Sequence, residues 1–206
     1  MEKNGLRLLT ERISYLPASN DPLSADVGLV RGDGAWWIFD AGACGEAARL
    51  IERLPGEKNV VLSHFHQDHA GNLGRIVCSR LYCGDFTKKK LRAGIPVTKP
   101  LTFDDGIKLT IFPLPSTHVR GALGLAAGEE YVFLGDALYG EQKQGREAYN
   151  VNTLRDMITA LTALPAKYFL LSHDPDFAVP REKALARLEA LYQKRVSGEA
   201  YVCEEE

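Results

Sequence analysis

The sequence predicts an α/β fold in four layers, with two β-sheets packed face to face and helices over their outer faces. Three observations carry this expectation. Strand-like runs are short and punctuated by Gly, Pro and Asp; they fall into two blocks, roughly before and after residue 100; and each block has helical stretches attached. At 206 residues the chain is most economically one domain, residues 1–206, burying roughly 70% of its unfolded surface. No low-complexity tract or linker divides it.

In chain order, Val27–Arg31 and Ala35–Asp40 flank Gly32-Asp33-Gly34, which reads as a tight β-hairpin. Gly45–Leu54 places Ala47, Ala48, Leu50, Ile51 and Leu54 at helical spacing and stops at Pro55-Gly56. Val60–Ser63 is a compact apolar run suited to a strand buried on both faces. Ile76–Cys78, Leu81–Cys83, Ile107–Phe112, Ala122–Ala126, Tyr131–Leu134 and Tyr168–Ser172 are further strands, with a short basic helix at Phe86–Ala93. Asn152–Leu164 carries an apolar stripe, with Asn152 or Thr153 as its cap and Pro165 as its stop. Arg181–Val196 follows Pro180 with Leu185, Leu188, Leu191 and Tyr192 on one face, a stripe for core packing. Ser197–Glu206, closing on three glutamates, reads as a frayed acidic tail.

Composition narrows the function classes. Apolar residues are 45% and charged residues 25%, and 25 Lys and Arg oppose 27 Asp and Glu for a formal net charge of −2. That balance argues against nucleic acid as the main partner, since such proteins rely on neutralising phosphates. A small-molecule substrate is the expected partner. The start lacks an uninterrupted apolar core, and Ala35–Ala43 is cut by Asp40 and too short to span a bilayer, so neither export nor a membrane is expected. Cys44, Cys78, Cys83 and Cys203 form no C-x-x-C pair; reduced thiols in a cytoplasmic protein are the expectation. A local redox pair of Cys78 and Cys83 is the minor alternative.

Three of the five histidines lie in His64-Phe65-His66-Gln67-Asp68-His69, directly after an apolar strand-like run. Imidazole and carboxylate are the ligands that zinc-like divalent ions prefer. Three imidazoles and a carboxylate on one loop would otherwise have to satisfy one another at low dielectric, and a cation resolves that conflict. The remaining histidines, His118 and His173, also follow apolar runs, as do Asp136 and Asp40. Each alone is an ordinary strand-end residue; their shared position beside the cluster points to a metal site.

With these motifs the chain resembles the metallo-β-lactamase-fold hydrolase superfamily. The resemblance rests on Ile38–Gly42, Leu62–Gly71, the His118 segment, Phe133–Asp136 and Leu171–His173, in the family's order, from about residue 25 to 175. It implies an αβ/βα sandwich of two mixed sheets, two similar halves meeting at a metal-binding edge. By that resemblance His64, His66 and His118 hold one metal, Asp68, His69 and His173 hold a second, and Asp136 bridges them. Asp40 would orient ligands from behind, the usual need of a metal-bound histidine. Two divalent ions per chain are implied, zinc first, with iron or manganese as alternatives.

Two cations a few ångströms apart would lower the pKa of a shared water to give hydroxide near neutral pH, which attacks a carbonyl or phosphoryl centre. Asp68 is then a candidate to accept and pass on a proton. Tyr139 is a candidate oxyanion donor, with ordinary packing beside the site as the alternative reading.

Departures from the family's branches narrow the activity. β-Lactamases of this superfamily generally lack the bridging carboxylate that Asp136 supplies, which disfavours antibiotic hydrolysis. Only 33 residues follow His173, too few for the helical extension of hydroxyacylglutathione hydrolases, and His173 lies 37 positions after Asp136, too close for an inserted nuclease cap. His66 stands where the flavin-partnered diiron proteins usually have Glu, and their flavin domain is absent. The expectation is a compact hydrolase cleaving a small ester, thioester or lactone. The alternative is a persulfide-dioxygenase-like oxidoreductase with one iron on His64, His118 and Asp136; a non-catalytic binding module is a third reading. Pro17–Asp26 and Gly140–Asn150 are expected to wall the pocket. Lys88, Lys89, Lys90 and Arg92 form either a solvated helix face or an anion-steering patch.

Overall fold

The computed structural model describes residues 5–143 and 145–203. Two mixed sheets dominate it. The first runs, in spatial order, β1 (Arg7–Leu8), β2 (Ile13–Leu16), β5 (Val27–Arg31), β6 (Ala35–Phe39), β7 (Glu57–Val61), β8 (Arg80–Cys83) and β9 (Ile95–Pro96). The second runs β10 (Leu101–Asp104), β11 (Lys108–Pro113), β12 (Leu123–Ala127), β13 (Tyr131–Gly135), β16 (Tyr168–Leu171) and β17 (Ala178–Pro180). Two small additions stand beside them: the hairpin β3 (Ser19–Asn20) with β4 (Leu23–Ser24), and β14 (Glu141–Lys143), β15 (Arg146–Asn150) and β18 (Tyr201–Cys203).

The period of the strands assigns their faces. On β6, Trp37 and Phe39 face the second sheet and join Ile111, Leu123, Leu125 and Phe133, whereas Ile38 faces outward into a cluster with Ala47 and Ile51. On β13, Phe133 points between the sheets while Val132 and Leu134 point outward to Leu154, Met157, Leu185 and Leu188. The outer layers are therefore α1 (Gly45–Arg53) on the first sheet and α4 (Val151–Thr162) with α5 (Arg181–Gln193) on the second. α2 (Gln67–Ala70) is a single turn and α3 (Asp85–Leu91) two short turns near the sheet edge. The four-layer αβ/βα sandwich expected from the sequence is the observed architecture.

Local chemistry sets the ends of these elements. Cys44 caps α1 through its Sγ, which accepts from the Ala47 N–H, and Leu54 leaves the helix ahead of Pro55 in an extended conformation. The cap of α4 is Asn150, not the expected Asn152 or Thr153; its Oδ1 accepts from the N–H groups of both those residues. α5 ends at Gln193 rather than Val196. Ile76–Cys78 is not a strand: the Arg75 and Ile76 N–H groups turn back to the Asn72 carbonyl and Val77 is exposed. β7 begins at Glu57 and stops at Val61, so Leu62 and Ser63 already belong to the site loop. Of the supposedly frayed tail, Tyr201–Cys203 pairs antiparallel with β15 and buries Val202; Glu204–Glu206 lie outside the described residues. All four cysteines are free thiols, and no helix of the described residues is long and apolar enough to cross a membrane.

The topology brings two parallel pairs to one edge. β6 and β7 run parallel and end together at Phe39 and Val61; β13 and β16 run parallel and end at Gly135 and Leu171. The chain leaves those carboxyl ends as Asp40, as Ser63-His64, as Asp136 and as Ser172-His173.

Candidate metal centre

The five histidines and two aspartates predicted from the sequence converge at this edge in two groups, His64, His66 and His118, and Asp68, His69, Asp136 and His173. Within each group the ligand atoms lie within 4.8 Å of one another. In the first, His66 Nδ1 is 2.9 Å from His64 Nε2 and 3.2 Å from His118 Nε2. In the second, His173 Nε2 is 2.9 Å from Asp68 Oδ2, while His69 Nε2 lies 3.3 Å from Asp68 Oδ2 and 3.2 Å from Asp136 Oδ2. The same Asp136 oxygen is 3.7 Å from His118 Nε2, so this carboxylate stands between the groups.

The outer hydrogen bonds set which ring nitrogen faces inward. Asp40 is fully buried; its Oδ1 accepts from the Ser63 N–H at 2.7 Å, and its Oδ2 from the Ser63 hydroxyl at 2.8 Å and His69 Nδ1 at 2.7 Å. A proton on His69 Nδ1 leaves Nε2 with a lone pair. Ser63 Oγ, its own proton committed to Asp40, accepts from His64 Nδ1 at 3.0 Å. His118 Nδ1 donates to the Gly140 carbonyl at 3.0 Å. The Nε2 lone pairs of His64 and His118 thus both aim at His66 Nδ1, where one proton would have to serve three nitrogens. His69 Nε2 and Asp136 Oδ1 are buried without a hydrogen-bond partner. Buried donors and acceptors left in this state cost about 1–3 kcal/mol each; a cation in each group satisfies them. The donor set, imidazole with carboxylate, fits zinc-like ions.

Charges shift accordingly. Burial, reinforced by the charges of His69, His66 and His118, pushes the His64 imidazole far below its ordinary value. Burial and His118 lower His66. Burial would also depress His69, but Asp40, Asp136 and Asp68 together outweigh it and raise this histidine well above 6.5. Burial opposes ionisation of Asp68, yet the hydrogen bond from His173 and the nearby charge of His69 hold its carboxyl well below the usual carboxylate range. Without a cation, a proton on His69 supplies positive charge among three carboxylates.

Several residues in this support carry no sequence signature. Asp26 is buried behind His173: its Oδ2 accepts from the His173 N–H and its Oδ1 from the Ala18 N–H, both at 3.0 Å. It holds His173 in a left-handed conformation, φ 63°. The Pro17–Asp26 segment therefore orients His173, and with Tyr15, His173 and Phe177 it also lines a cavity of about 250 Å³. Within the Gly140–Asn150 segment β14 pairs antiparallel with β15, and Glu147 Oε1 accepts from the Gly140 N–H at 2.6 Å and so steadies the carbonyl that binds His118. Gly135, φ 58°, is where the sheets pinch: a Cβ there would fall 2.8 Å from Ser63 Cβ. Tyr139 donates its hydroxyl proton to the Ser172 carbonyl at 3.2 Å; burial, with Asp136 and Asp174, pushes its pKa up to about 12.

Comparison with known proteins decides the fold's identity. MEM-A1, a subclass B3 metallo-β-lactamase isolated from a soil metagenome library, superposes with TM-score 0.69 at 17% identity, covering 95% of this chain and 96% of its own. The chain has the metallo-β-lactamase fold. A metallo-β-lactamase from Pontibacter korlensis shares that fold at TM-score 0.69 and 15% identity, covering 92% of this chain and 99% of its own. The stereoselective inverting sec-alkylsulfatase Pisa1 from Pseudomonas sp. matches at TM-score 0.70 and 14% identity over 92% of this chain but 41% of its own. The sequence model of the metallo-β-lactamase superfamily matches residues 20–77, which include Asp26, Asp40 and the His64–His69 motif. His118, Asp136 and His173 lie beyond that match and enter the site through the fold. No curated protein sequence matches the chain significantly.

Proposed function

We propose that the chain is a metal-dependent hydrolase acting on a small ester, thioester or lactone, with two divalent ions, zinc first, as its cofactor. One group would be held by His64, His66 and His118, the other by Asp68, His69 and His173, with Asp136 reaching both. The observation that carries the reading is two adjacent donor groups in which the Nδ1 atoms of His64, His69 and His118 are engaged by outer partners so that Nε2 faces inward, with His69 Nε2 and Asp136 Oδ1 left without partners. Divalent ions bound there supply Lewis-acid polarisation of a carbonyl and lower the pKa of water.

The protein's own part is orientation and proton handling. Asp40 and Gly140 hold His69 and His118 as Nδ1–H tautomers, so that binding needs no rearrangement of rings. The Asp68 carboxylate, kept ionised by His173 and His69, is the group assigned to receive a proton during hydrolysis. Tyr139, engaged by the Ser172 carbonyl at the site's rim, is assigned to the oxyanion of the reacting carbonyl, which requires its hydroxyl to leave that bond.

The test is elemental analysis of the as-purified protein followed by an ester, thioester, lactone, lactam and phosphodiester panel on the same sample. About two zincs per chain with turnover of one of the first three classes supports the proposal. One tightly held iron with consumption of O₂, or inertness across the panel at full metal loading, contradicts it.

A further inference from the structure

One wall of the centre combines aromatic rings and unneutralised cations. Gly84, at the start of α3, meets the loop of His118 so closely that a Cβ there would fall 1.8 Å from the Gly121 carbonyl oxygen. α3 is thereby seated against that loop, and Phe86 lies over Gly121. Phe65, between the two histidines of the motif, turns edge-on to Phe86 at 5.7 Å between ring centroids and lies 5.0 Å from the His66 ring. Both phenylalanines are half-buried. Lys90 Nζ stands 5.6 Å from the Phe65 ring and 5.4 Å from the Phe86 ring, and the Arg120 guanidinium stands 5.9 Å from Phe86.

Among the described residues neither cation forms an ion pair or a hydrogen bond. The only acid on α3, Asp85, is at the helix's other end. Both cations are exposed and share the Phe86 ring, so two like charges repel across one aromatic partner. An anion placed between them relieves that repulsion, and the rings offer an apolar bed for the chain that carries it.

We propose that Phe65, Phe86, Lys90 and Arg120 form a substrate subsite that selects an anionic acyl group, a carboxylate carried on an apolar arm long enough to cross the two rings from the scissile carbonyl. This rests on the hydrolase reading and gives it a substrate class. The arm lies on Phe65 and Phe86 beside His66, and its carboxylate sits between Lys90 and Arg120.

The experiment has two arms. In the first, the as-purified enzyme hydrolyses two 4-nitrophenyl esters of equal chain length, one ending in methyl and one in carboxylate. The expected kcat/KM ratio favours the carboxylate by about tenfold at low ionic strength, and shrinks in about 0.5 M salt as the charges are screened. In the Lys90→Ala/Arg120→Ala variant the ratio falls to near one, through KM. A wild-type ratio of one, or a ratio that the double substitution leaves unchanged, overturns the proposal. In the second arm, 4-phenylbutyrate and its neutral amide are titrated into the same protein by NMR. Preference for the carboxylate, with shifts at Phe65 and Phe86 that vanish in the double variant, supports the subsite. Equal binding, no binding, or shifts confined to the histidines overturns it. Should every ester prove inert, the hydrolase reading fails while the binding arm still decides the subsite.

Discussion

Replacing Asp40 by Asn tests how the second coordination group is prepared. Asp40 sits at φ 64°, a conformation Asn tolerates, so the backbone should not change. Its two oxygens accept three protons, from the Ser63 N–H, the Ser63 hydroxyl and His69 Nδ1. Asn offers one oxygen and one NH₂. If the amide nitrogen faces the Ser63 N–H, two buried donors collide. If it faces His69 instead, the imidazole must accept at Nδ1 and carry its proton on Nε2, which aims that proton at Asp68 and Asp136 and removes the lone pair a metal needs. Loss of such an orienting partner weakens metal binding about 10–100-fold, or ~1.4–2.8 kcal/mol. The misplaced buried donor costs the metal-free fold about 1–3 kcal/mol besides. Zinc affinity is read by competition with a chromophoric chelator. The weaker step should be the ion held by His69, with a smaller effect at His64, which leans on Asp40 only through Ser63. Unchanged affinity at both steps, or equal loss at both, would refute this division of labour.

Three further outcomes follow from the same geometry. Gly135→Ala places a methyl group 2.8 Å from Ser63 Cβ at a positive φ, and should destabilise the fold by about 2–4 kcal/mol in urea denaturation; wild-type stability would mean that Ser63 yields freely. The metal-free chain should be most stable near pH 6.5. His69 and His173 have raised folded values, so their contribution is complete below the unfolded value of 6.5 and is lost as pH rises through the folded ones. His64 and His66 have lowered values, so below 6.5 the unfolded chain takes up protons that the fold refuses, and stability falls again toward acid. A midpoint that rises steadily from pH 6 to 9 in chelator-treated protein would contradict these signs. Tyr139→Phe removes only the bond to the Ser172 carbonyl and should cost about 1 kcal/mol with metal content intact; kcat unchanged on the best substrate removes Tyr139 from the chemistry.

The residues of the two donor groups were legible in the sequence because the fold concentrates them where apolar runs stop. His64, Asp136 and His173 each follow a buried strand or its first flanking residues, and His64–His69 is a single loop. The hairpin at Gly32–Gly34 was legible through its turn residues, and β6 and β13 were legible as strands through their continuous apolar runs. Apart from the short buried strand β2, which the sequence reading also missed, what escaped is chiefly polar backbone pairing. β10, β14, β15 and β18 hold mixed, partly exposed residues that pair because neighbouring strands offer free hydrogen-bonding edges, so no alternation marks them. Ile76–Cys78 shows the converse error, since a β-branched pair sits in a turn made by backbone bonds to Asn72. Asp26, Ser63 and Glu147 escaped as site residues for a different reason. Their partners are backbone groups or rings as far as 147 positions away, as with Asp26 and His173, and no spacing rule links them.

Each of the two donor groups should take one cation. Anomalous diffraction at the zinc edge from crystals of the as-purified protein should show two peaks, one among His64, His66 and His118 and one among Asp68, His69 and His173, with the Asp136 carboxylate reaching both. A single peak, or none in crystals soaked with zinc, would contradict it.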